Sequence, residues 1–179
     1  SNKILDSMNR RHTVEDYLDK IKKLKNIQPN IKFSSDFIIG YPGENREDFE
    51  KTLKLMKEVK FINSFSFVFN ARPGTPAASL KKIDDNKTKD RLKEFQEIAY
   101  QIKKDYRKKL YNTSLLVLFE NLTKVGNNYF GRDEFFNSVI VSSDTNLVGQ
   151  IRKIKVKDIN RNTIFGAIDD EPNNKEFAA

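Results

Sequence analysis

The sequence predicts an α/β part followed by a small antiparallel β-barrel, a fold class that three observations indicate. Amphipathic helical segments alternate with short apolar strands up to about residue 110, the order typical of parallel α/β architecture. Several short β runs then follow within residues 111–168, as in an OB-like barrel. The longest apolar run is about five residues, whereas a membrane span requires roughly 18. We therefore expect two domains, residues 1–110 and 111–168, and no membrane segment.

Capping signals mark where helices of the first part begin. Thr13 is a good N-cap residue with Asp16 three positions later, and Asn45 stands in the same relation to Asp48. The predicted elements, in chain order, are a short helix over Asn2–Met8, a helix from Thr13, a strand over Ile31–Ile39, a helix after Asn45, a strand over Ser64–Phe69 and a helix over about Thr88–Leu110.

The two predicted strands of the first part cannot form a stable sheet by themselves. Phe33, Phe37, Ile38 and Ile39 give the first strand the apolar character of a buried strand. A parallel pair that is buried on both faces needs further strands at its edges. We therefore expect this part to be the end of a larger barrel or sheet whose first strands are missing.

The second part has the pattern of a small barrel. Asn-rich and Gly-rich turns separate its β runs, which lie at Leu115–Glu120, Asn128–Arg132, Ser138–Ser142, Gly149–Asp158 and Thr163–Ile168. OB-like barrels commonly hold single-stranded or looped nucleic acid. The acidic segment 169–179 is expected to be disordered.

The composition excludes several kinds of chemistry. The 179 residues include no Cys, which excludes a disulfide, a cysteine nucleophile and a thiolate ligand for a metal or an iron–sulfur cluster on this chain. The single His12 excludes a histidine-rich zinc site. The net charge of +8 is distributed as +9 over residues 1–112, +2 over 113–168 and −3 over 169–179. Lys-rich solvated helix faces and RNA or DNA binding both account for this excess.

Two loops at strand ends are the candidate ligand site. Gly40-Tyr41-Pro42-Gly43-Glu44 follows the first strand, at the end where α/β proteins bind ligands, and its glycines allow close backbone approach. Ser34, Ser35 and Asp36 lie on that strand and place polar groups near it. Arg72, in the rigid loop Asn70–Pro76 after the second strand, suits a phosphate or carboxylate. In both loops a purely structural turn remains the alternative.

Basic and aromatic side chains suggest a nucleic-acid interface. Arg10 and Arg11 form a basic patch after the first helix, suited either to phosphate contact or to a solvated helix end. Aromatic residues interleave with Arg132 around the expected barrel and serve either as core or as stacking platforms for unpaired bases: Tyr129, Phe130, Phe135 and Phe136.

Three stretches in this order resemble the radical-SAM methylthiotransferases. They are Ser1 to Tyr17, the run Asp36-Phe-Ile-Ile-Gly-Tyr-Pro-Gly-Glu44, and Ala71-Arg-Pro-Gly-Thr-Pro-Ala-Ala78. The β-rich second part resembles the TRAM domain of that family, a small RNA-binding barrel. The Arg-Pro-Gly-Thr-Pro-Ala stretch is most similar to the MiaB-type branch, which methylthiolates isopentenylated adenosine beside the tRNA anticodon.

The resemblance implies that the chain is the end of a partial (β/α) radical-SAM barrel plus a TRAM domain. Such enzymes use S-adenosylmethionine and two [4Fe–4S] clusters held by cysteines, and the absence of Cys implies that this part alone is inactive. The implied cofactor-binding residues are Ser35, Asp36, Gly40, Gly43, Glu44, Ala71 and Arg72. The implied RNA-binding residues are Arg10, Arg11, Arg72 and Arg132. Phe69-Asn70 departs from the Tyr-Ser-Pro common in the family, which leaves the loop backbone as the expected contact.

The implied partners are the tRNA anticodon stem-loop and donors of sulfur and electrons, in the cytoplasm. Two alternatives stay open. One is a methylthiotransferase that acts on another tRNA base or on a ribosomal protein. The other is an RNA-binding module without catalysis.

Overall fold

The computed structural model describes residues 1–169, which form two compact units, Ser1–Lys103 and a second that begins at Lys104. The expected acidic tail lies outside the described residues except for Asp169. That residue is held by the barrel, since Ser114 Oγ donates to its carboxylate at 2.6 Å.

The first unit has the predicted order of helices and strands. Both predicted capping boxes are confirmed, because Thr13 and Asp16, and likewise Asn45 and Asp48, exchange reciprocal hydrogen bonds. The fourth helix begins before Thr88, because the Asp84 carboxylate accepts the backbone N–H groups of its first turn at 3.0–3.1 Å. The elements are α1 Asn2–Ser7, α2 Val14–Ile27, β1 Ser34–Ile39, α3 Arg46–Val59, β2 Asn63–Val68, a short 3₁₀ helix Pro76–Ser79 and α4 Asp85–Lys108.

Strands β1 and β2 pair in parallel and are covered on one face only. Phe37 on the covered face packs against Phe61 and Phe95, with ring centroids 5.4 and 4.9 Å apart. Ile38 was predicted to be buried, which is wrong: it is 40% exposed, because successive side chains point to opposite faces and helices cover just one of them. The other face, here called the exposed sheet face, carries Asp36, Ile38, Phe65 and Phe67.

The second unit is a closed five-stranded barrel with strand order β3-β4-β5-β7-β6. Four ladders are antiparallel as predicted, whereas β5 and β7 pair in parallel. An odd number of strands cannot alternate in direction all the way around a closed ring, so a five-stranded barrel needs at least one parallel pair. The strands are β3 Ser114–Leu122, β4 Asn128–Asp133, β5 Ser138–Ser142, β6 Ile151–Ile159 and β7 Thr163–Ile168.

Close packing inside this barrel depends on two glycines. A Cβ at Gly131 would lie 2.5 Å from the Leu118 carbonyl oxygen, and one at Gly166 would lie 2.4 Å from Ile154 Cγ2. The last turn of α4 also belongs to this unit, where Arg107 Nη1 donates to the Arg161 carbonyl oxygen at 2.7 Å. The barrel core consists of Val117, Phe119, Tyr129, Val139, Val141, Leu147, Ile154, Val156 and Ile164.

Candidate functional site

The two predicted loops meet at one edge of the β1–β2 pair. Because these strands run parallel, the segments that follow Ile39 and Val68 leave the sheet at the same edge. Phe69 N–H donates to the Ile39 carbonyl oxygen at 2.9 Å, and the Phe69 ring meets that of Tyr41 edge-on at 5.1 Å. The sequence therefore placed both loops at the same end of the sheet, and the structure adds an aromatic contact between the first loop and Phe69, the residue before the second.

The loop after β1 is organised around the buried carboxylate of Glu44. Its Oε2 accepts from Gly40 N–H at 3.2 Å and from Arg91 Nη1 at 2.8 Å. Arg91 Nη1 also donates to the Glu44 carbonyl oxygen at 3.0 Å. Burial raises the pKa of Glu44, and the Arg91 guanidinium opposes that effect. Glu44 thus fixes the loop backbone, and Arg91 is a residue that sequence reasoning did not identify.

The two glycines of this loop serve different purposes. Gly40 has a φ of +76°, and a Cβ there would lie 2.6 Å from Thr88 Cγ2 on α4, so that packing excludes any larger residue. Gly43 also has a positive φ, but nothing lies within 4 Å of the position of its Cβ. The Gly43 carbonyl oxygen accepts from Lys3 Nζ at 2.9 Å. Gly43 is therefore the glycine of this loop that has free space beside its backbone.

Ser35 and Asp36 lie on opposite faces of β1. Ser35 is on the helix-covered face and hydrogen-bonds the phenol of Tyr17. Burial raises the pKa of Tyr17 above its ordinary value, and the bond with Ser35 partly opposes that rise. Asp36 lies on the exposed sheet face in register with Phe65, and Ile38 is in register with Phe67. Of the two candidates, Asp36 therefore has its carboxylate on a surface open to a ligand.

The loop after β2 holds Arg72 outward on a fixed backbone. The Arg72 carbonyl oxygen accepts from Thr75 N–H at 3.2 Å and from Thr75 Oγ1 at 2.8 Å. The Arg72 side chain is exposed, while Ala71 is half-buried. This geometry leaves the guanidinium available to an anionic ligand.

The other predicted arginines are exposed, two of them in the first unit and one in the barrel. Arg10 and Arg11 are exposed in the turn between α1 and α2. Arg132 lies on β4, where Nε donates to Glu120 Oε1 at 3.1 Å and the guanidinium lies 5.3 Å from the centre of the Phe130 ring. Among the aromatic candidates, Tyr129 belongs to the barrel core, whereas Phe136 is 73% exposed.

The described residues 1–169 contain no cluster of His, Cys, Asp or Glu side chains that fits a metal ion. The absence of Cys from the sequence likewise leaves no thiolate on this chain for an iron–sulfur cluster. No helix among those residues is long and apolar enough to cross a membrane.

Comparison with known proteins relates this chain to a family of tRNA-modifying enzymes. The sequence profile of the Radical SAM superfamily matches residues 1–56. A protein of Pelagibacter ubique (strain HTCC1062), the tRNA-2-methylthio-N(6)-dimethylallyladenosine synthase, is 47% identical over 177 residues, which cover 98% of this chain and 39% of that protein.

Synthases of the same name in two further organisms are also similar. The protein from Maricaulis maris is 37% identical over 169 residues, covering 94% of this chain and 37% of the relative. The one from Zymomonas mobilis is 36% identical over 179 residues, covering 99% of this chain and 39% of the relative. The chain thus spans about two-fifths of the length of the curated relatives that it matches.

Proposed function

The chain belongs to the Radical SAM superfamily and is homologous to the C-terminal part of tRNA methylthiotransferases, and from this premise we propose that it is part of such an enzyme. The proposed enzyme uses S-adenosylmethionine and two [4Fe–4S] clusters to add a methylthio group to isopentenylated adenosine beside the tRNA anticodon. The observation that carries this proposal is the 47% identity over 177 residues with the Pelagibacter synthase.

We assign the cofactor contacts of this chain to the carboxyl edge of β1 and β2. Asp36 supplies a carboxylate acceptor on the exposed sheet face, where Phe65 and Phe67 offer flat apolar surfaces to a purine ring. Arg72 pairs with the carboxylate of the cofactor. When bound together with a cluster, S-adenosylmethionine supplies the radical, and the thiolates that hold both clusters come from outside these 179 residues.

The remaining candidates have supporting roles in this proposal. Ser35 stabilises β1 on its covered face through its hydrogen bond with Tyr17. At Ala71 the backbone of the second loop contacts the cofactor. The Glu44 carboxylate fixes the backbone of Gly40, and Gly43 leaves room for the ligand.

We assign tRNA contacts to the exposed arginines and the barrel. Arg10 and Arg11 contact phosphates, and Arg72 contacts a phosphate through the guanidinium N–H groups that the cofactor carboxylate leaves free. Arg132 combines a cation with the neighbouring Phe130 ring. The partner is the anticodon stem-loop, with separate donors of sulfur and electrons. The cytoplasm, where tRNA is modified, is the proposed location.

A chimaeric enzyme tests the proposed activity. The upstream three-fifths of the Pelagibacter synthase are joined to this chain and expressed in a bacterium that lacks its own synthase. Mass spectrometry of the tRNA nucleosides should show the methylthio derivative of isopentenyladenosine. A matched chimaera with Asp36→Ala should make markedly less of it. If the parent chimaera folds, binds its clusters and leaves isopentenyladenosine unchanged, the proposal is wrong.

Binding of RNA by the chain itself is a second, independent test. A synthetic anticodon stem-loop that carries isopentenyladenosine is titrated with the 179-residue chain at increasing salt concentrations. The logarithm of the affinity should fall linearly with the logarithm of the salt concentration, because each phosphate contact releases counterions. An affinity that does not change between low and moderate salt would contradict the assignment of the arginines to phosphates.

A further inference from the structure

The hairpin that joins β4 to β5 holds an aromatic side chain in a strained and exposed position. Phe136 has a φ of +60°, in the left-handed region that bulky residues rarely adopt, and its side chain is 73% exposed. The other non-glycine residues with positive φ among residues 1–169 are Asn9, Lys60 and Asn112. Two of these are Asn, which tolerates this region, and Lys60 is the C-cap of α3. Phe136 therefore needs a different explanation.

The loop is rigidly built around the buried carboxylate of Asp133. Its Oδ1 accepts from the backbone N–H groups of Phe135 at 2.9 Å and Asn137 at 2.8 Å. Its Oδ2 accepts from Asn137 Nδ2 at 2.7 Å, and Phe136 N–H donates to the Asp133 carbonyl oxygen at 3.0 Å. Each of these bonds fixes the backbone of the loop, and none of them uses the Phe136 ring.

The last turn of α4 supports the same loop from behind. Asn137 Nδ2 lies 3.4 Å from the phenol oxygen of Tyr106, and both Asp133 and Asn137 are buried. The loop is thus held before any ligand arrives, so that little conformational entropy is lost when its exposed ring is covered.

Because the Phe136 side chain is 73% exposed, it contributes little packing to offset its backbone strain. A single exposed apolar side chain is common and needs no explanation, but one held in the left-handed region carries a conformational cost. Asn or Gly would satisfy the same backbone without that cost. The stability of the fold therefore does not explain the aromatic ring at this position, whereas binding of a ligand does.

We infer that Phe136 is a stacking platform for an unpaired nucleobase of the RNA that binds the barrel. Its sequence neighbours are Phe135, which is half-buried, and Asn137, which is polar and buried, so within residues 134–137 Phe136 is the one exposed apolar side chain. A single exposed ring suits one base better than a protein partner that needs a contiguous apolar patch. Strand β6 lies between β3 and β7 in the closed barrel and adds positive charge to this unit, although Lys153 pairs with Asp169 at 3.7 Å. Four of its nine residues are basic: Arg152, Lys153, Lys155 and Lys157. An exposed aromatic side chain on a barrel that also carries a basic strand is suited to binding single-stranded RNA.

This inference rests on the proposed function, since it takes the bound RNA to be an anticodon stem-loop with unpaired bases. The test uses the 179-residue chain and stem-loops that carry the fluorescent base 2-aminopurine at successive loop positions. Stacking on Phe136 should quench one of these positions on binding. Phe136→Ala should abolish that quenching and weaken binding about 5- to 150-fold, the range expected for one stacked base. Phe136→Tyr should retain both.

Two controls separate stacking from a structural role. Val125 is 75% exposed in the β3–β4 loop of the same barrel, and Val125→Ala should leave RNA binding unchanged. Phe136→Asn should weaken RNA binding as Ala does, while the thermal midpoint stays the same or rises, because Asn accepts a positive φ with less strain.

The outcomes decide the inference separately from the proposed function. If the parent chain binds the stem-loop and Phe136→Ala binds it within twofold of the parent, the stacking role is wrong and a protein partner becomes the better explanation for the ring. A Phe136→Asn variant with a lower thermal midpoint would assign the side chain to the fold instead. If the parent chain binds no stem-loop at all, the RNA-binding part of the proposed function fails, and this inference fails with it.

Discussion

Replacing Glu44 by Ala should strongly destabilise the first unit. Glu44 is 7% exposed, and the Arg91 side chain with which it pairs at 2.8 Å is 12% exposed. The substitution leaves a guanidinium without its counter-charge in a largely buried place and removes the acceptor of Gly40 N–H. Both losses are costly because buried polar groups have little water to replace a missing partner.

The expected cost follows from those contacts. Removing one partner of a buried ion pair costs about 3–5 kcal/mol, a value that already includes the unpaired charge left behind. For a unit of about 100 residues, each kcal/mol lowers the thermal midpoint by about 4–8 °C, so the midpoint should fall by at least roughly 12 °C. Glu44→Gln keeps an oxygen acceptor for Gly40 N–H but removes the charge, and its effect should be intermediate.

Urea denaturation followed by far-ultraviolet circular dichroism measures this cost, since the chain has no Trp to report by fluorescence. Glu97→Ala on the exposed side of α4 is the matched control and should change the free energy of unfolding by less than about 0.5 kcal/mol. The barrel should keep its own transition, since neither residue belongs to it. A Glu44→Ala variant as stable as the control would refute the argument that this carboxylate organises the loop.

Three further predictions concern acid stability and the close-packed glycines. Burial opposes ionisation of Asp48, but hydrogen bonds from Lys3, Ser1 and the Asn45 backbone lower its pKa from 3.8 to about 2. The ionised Asp48 therefore contributes about 2 kcal/mol to the free energy of unfolding above pH 4, and this contribution is lost as the pH falls toward 2. In urea titrations, the difference in that free energy between the wild type and Asp48→Asn should become smaller as the pH is lowered. Gly40→Ala should lower the free energy of unfolding of the first unit by more than about 2 kcal/mol. Adding Thr88→Ala to that variant should recover part of the loss, because it removes the methyl group that the new Cβ meets. If calorimetry shows that the effects of the two substitutions simply add, the predicted clash is contradicted. Gly166→Ala should abolish the unfolding transition of the barrel and leave that of the first unit in place, an outcome that proteolysis can check.

Much of the fold was predictable because its signals are local. The capping boxes at Thr13 and Asn45 involve residues three positions apart, and the alternation of helices and strands follows from short-range apolar periodicity. The position of both loops at one sheet edge follows from the parallel pairing that this order predicts. The exposure of Ile38 could not be predicted, because the apolar run alone does not say which face of a strand is covered.

The amino-acid sequence by itself determined the order of the elements, the two loops of the candidate site, and the absence of any thiolate for a metal cluster. The tertiary structure decided which side chains of that site remain open to a ligand. It joins Glu44 to Arg91 across 47 positions and places Asp36 on the exposed sheet face with Ser35 behind it. It also sets Phe136 in a left-handed turn above the buried Asp133. Pairings over such distances depend on how elements pack, and packing is not encoded in any short stretch of sequence.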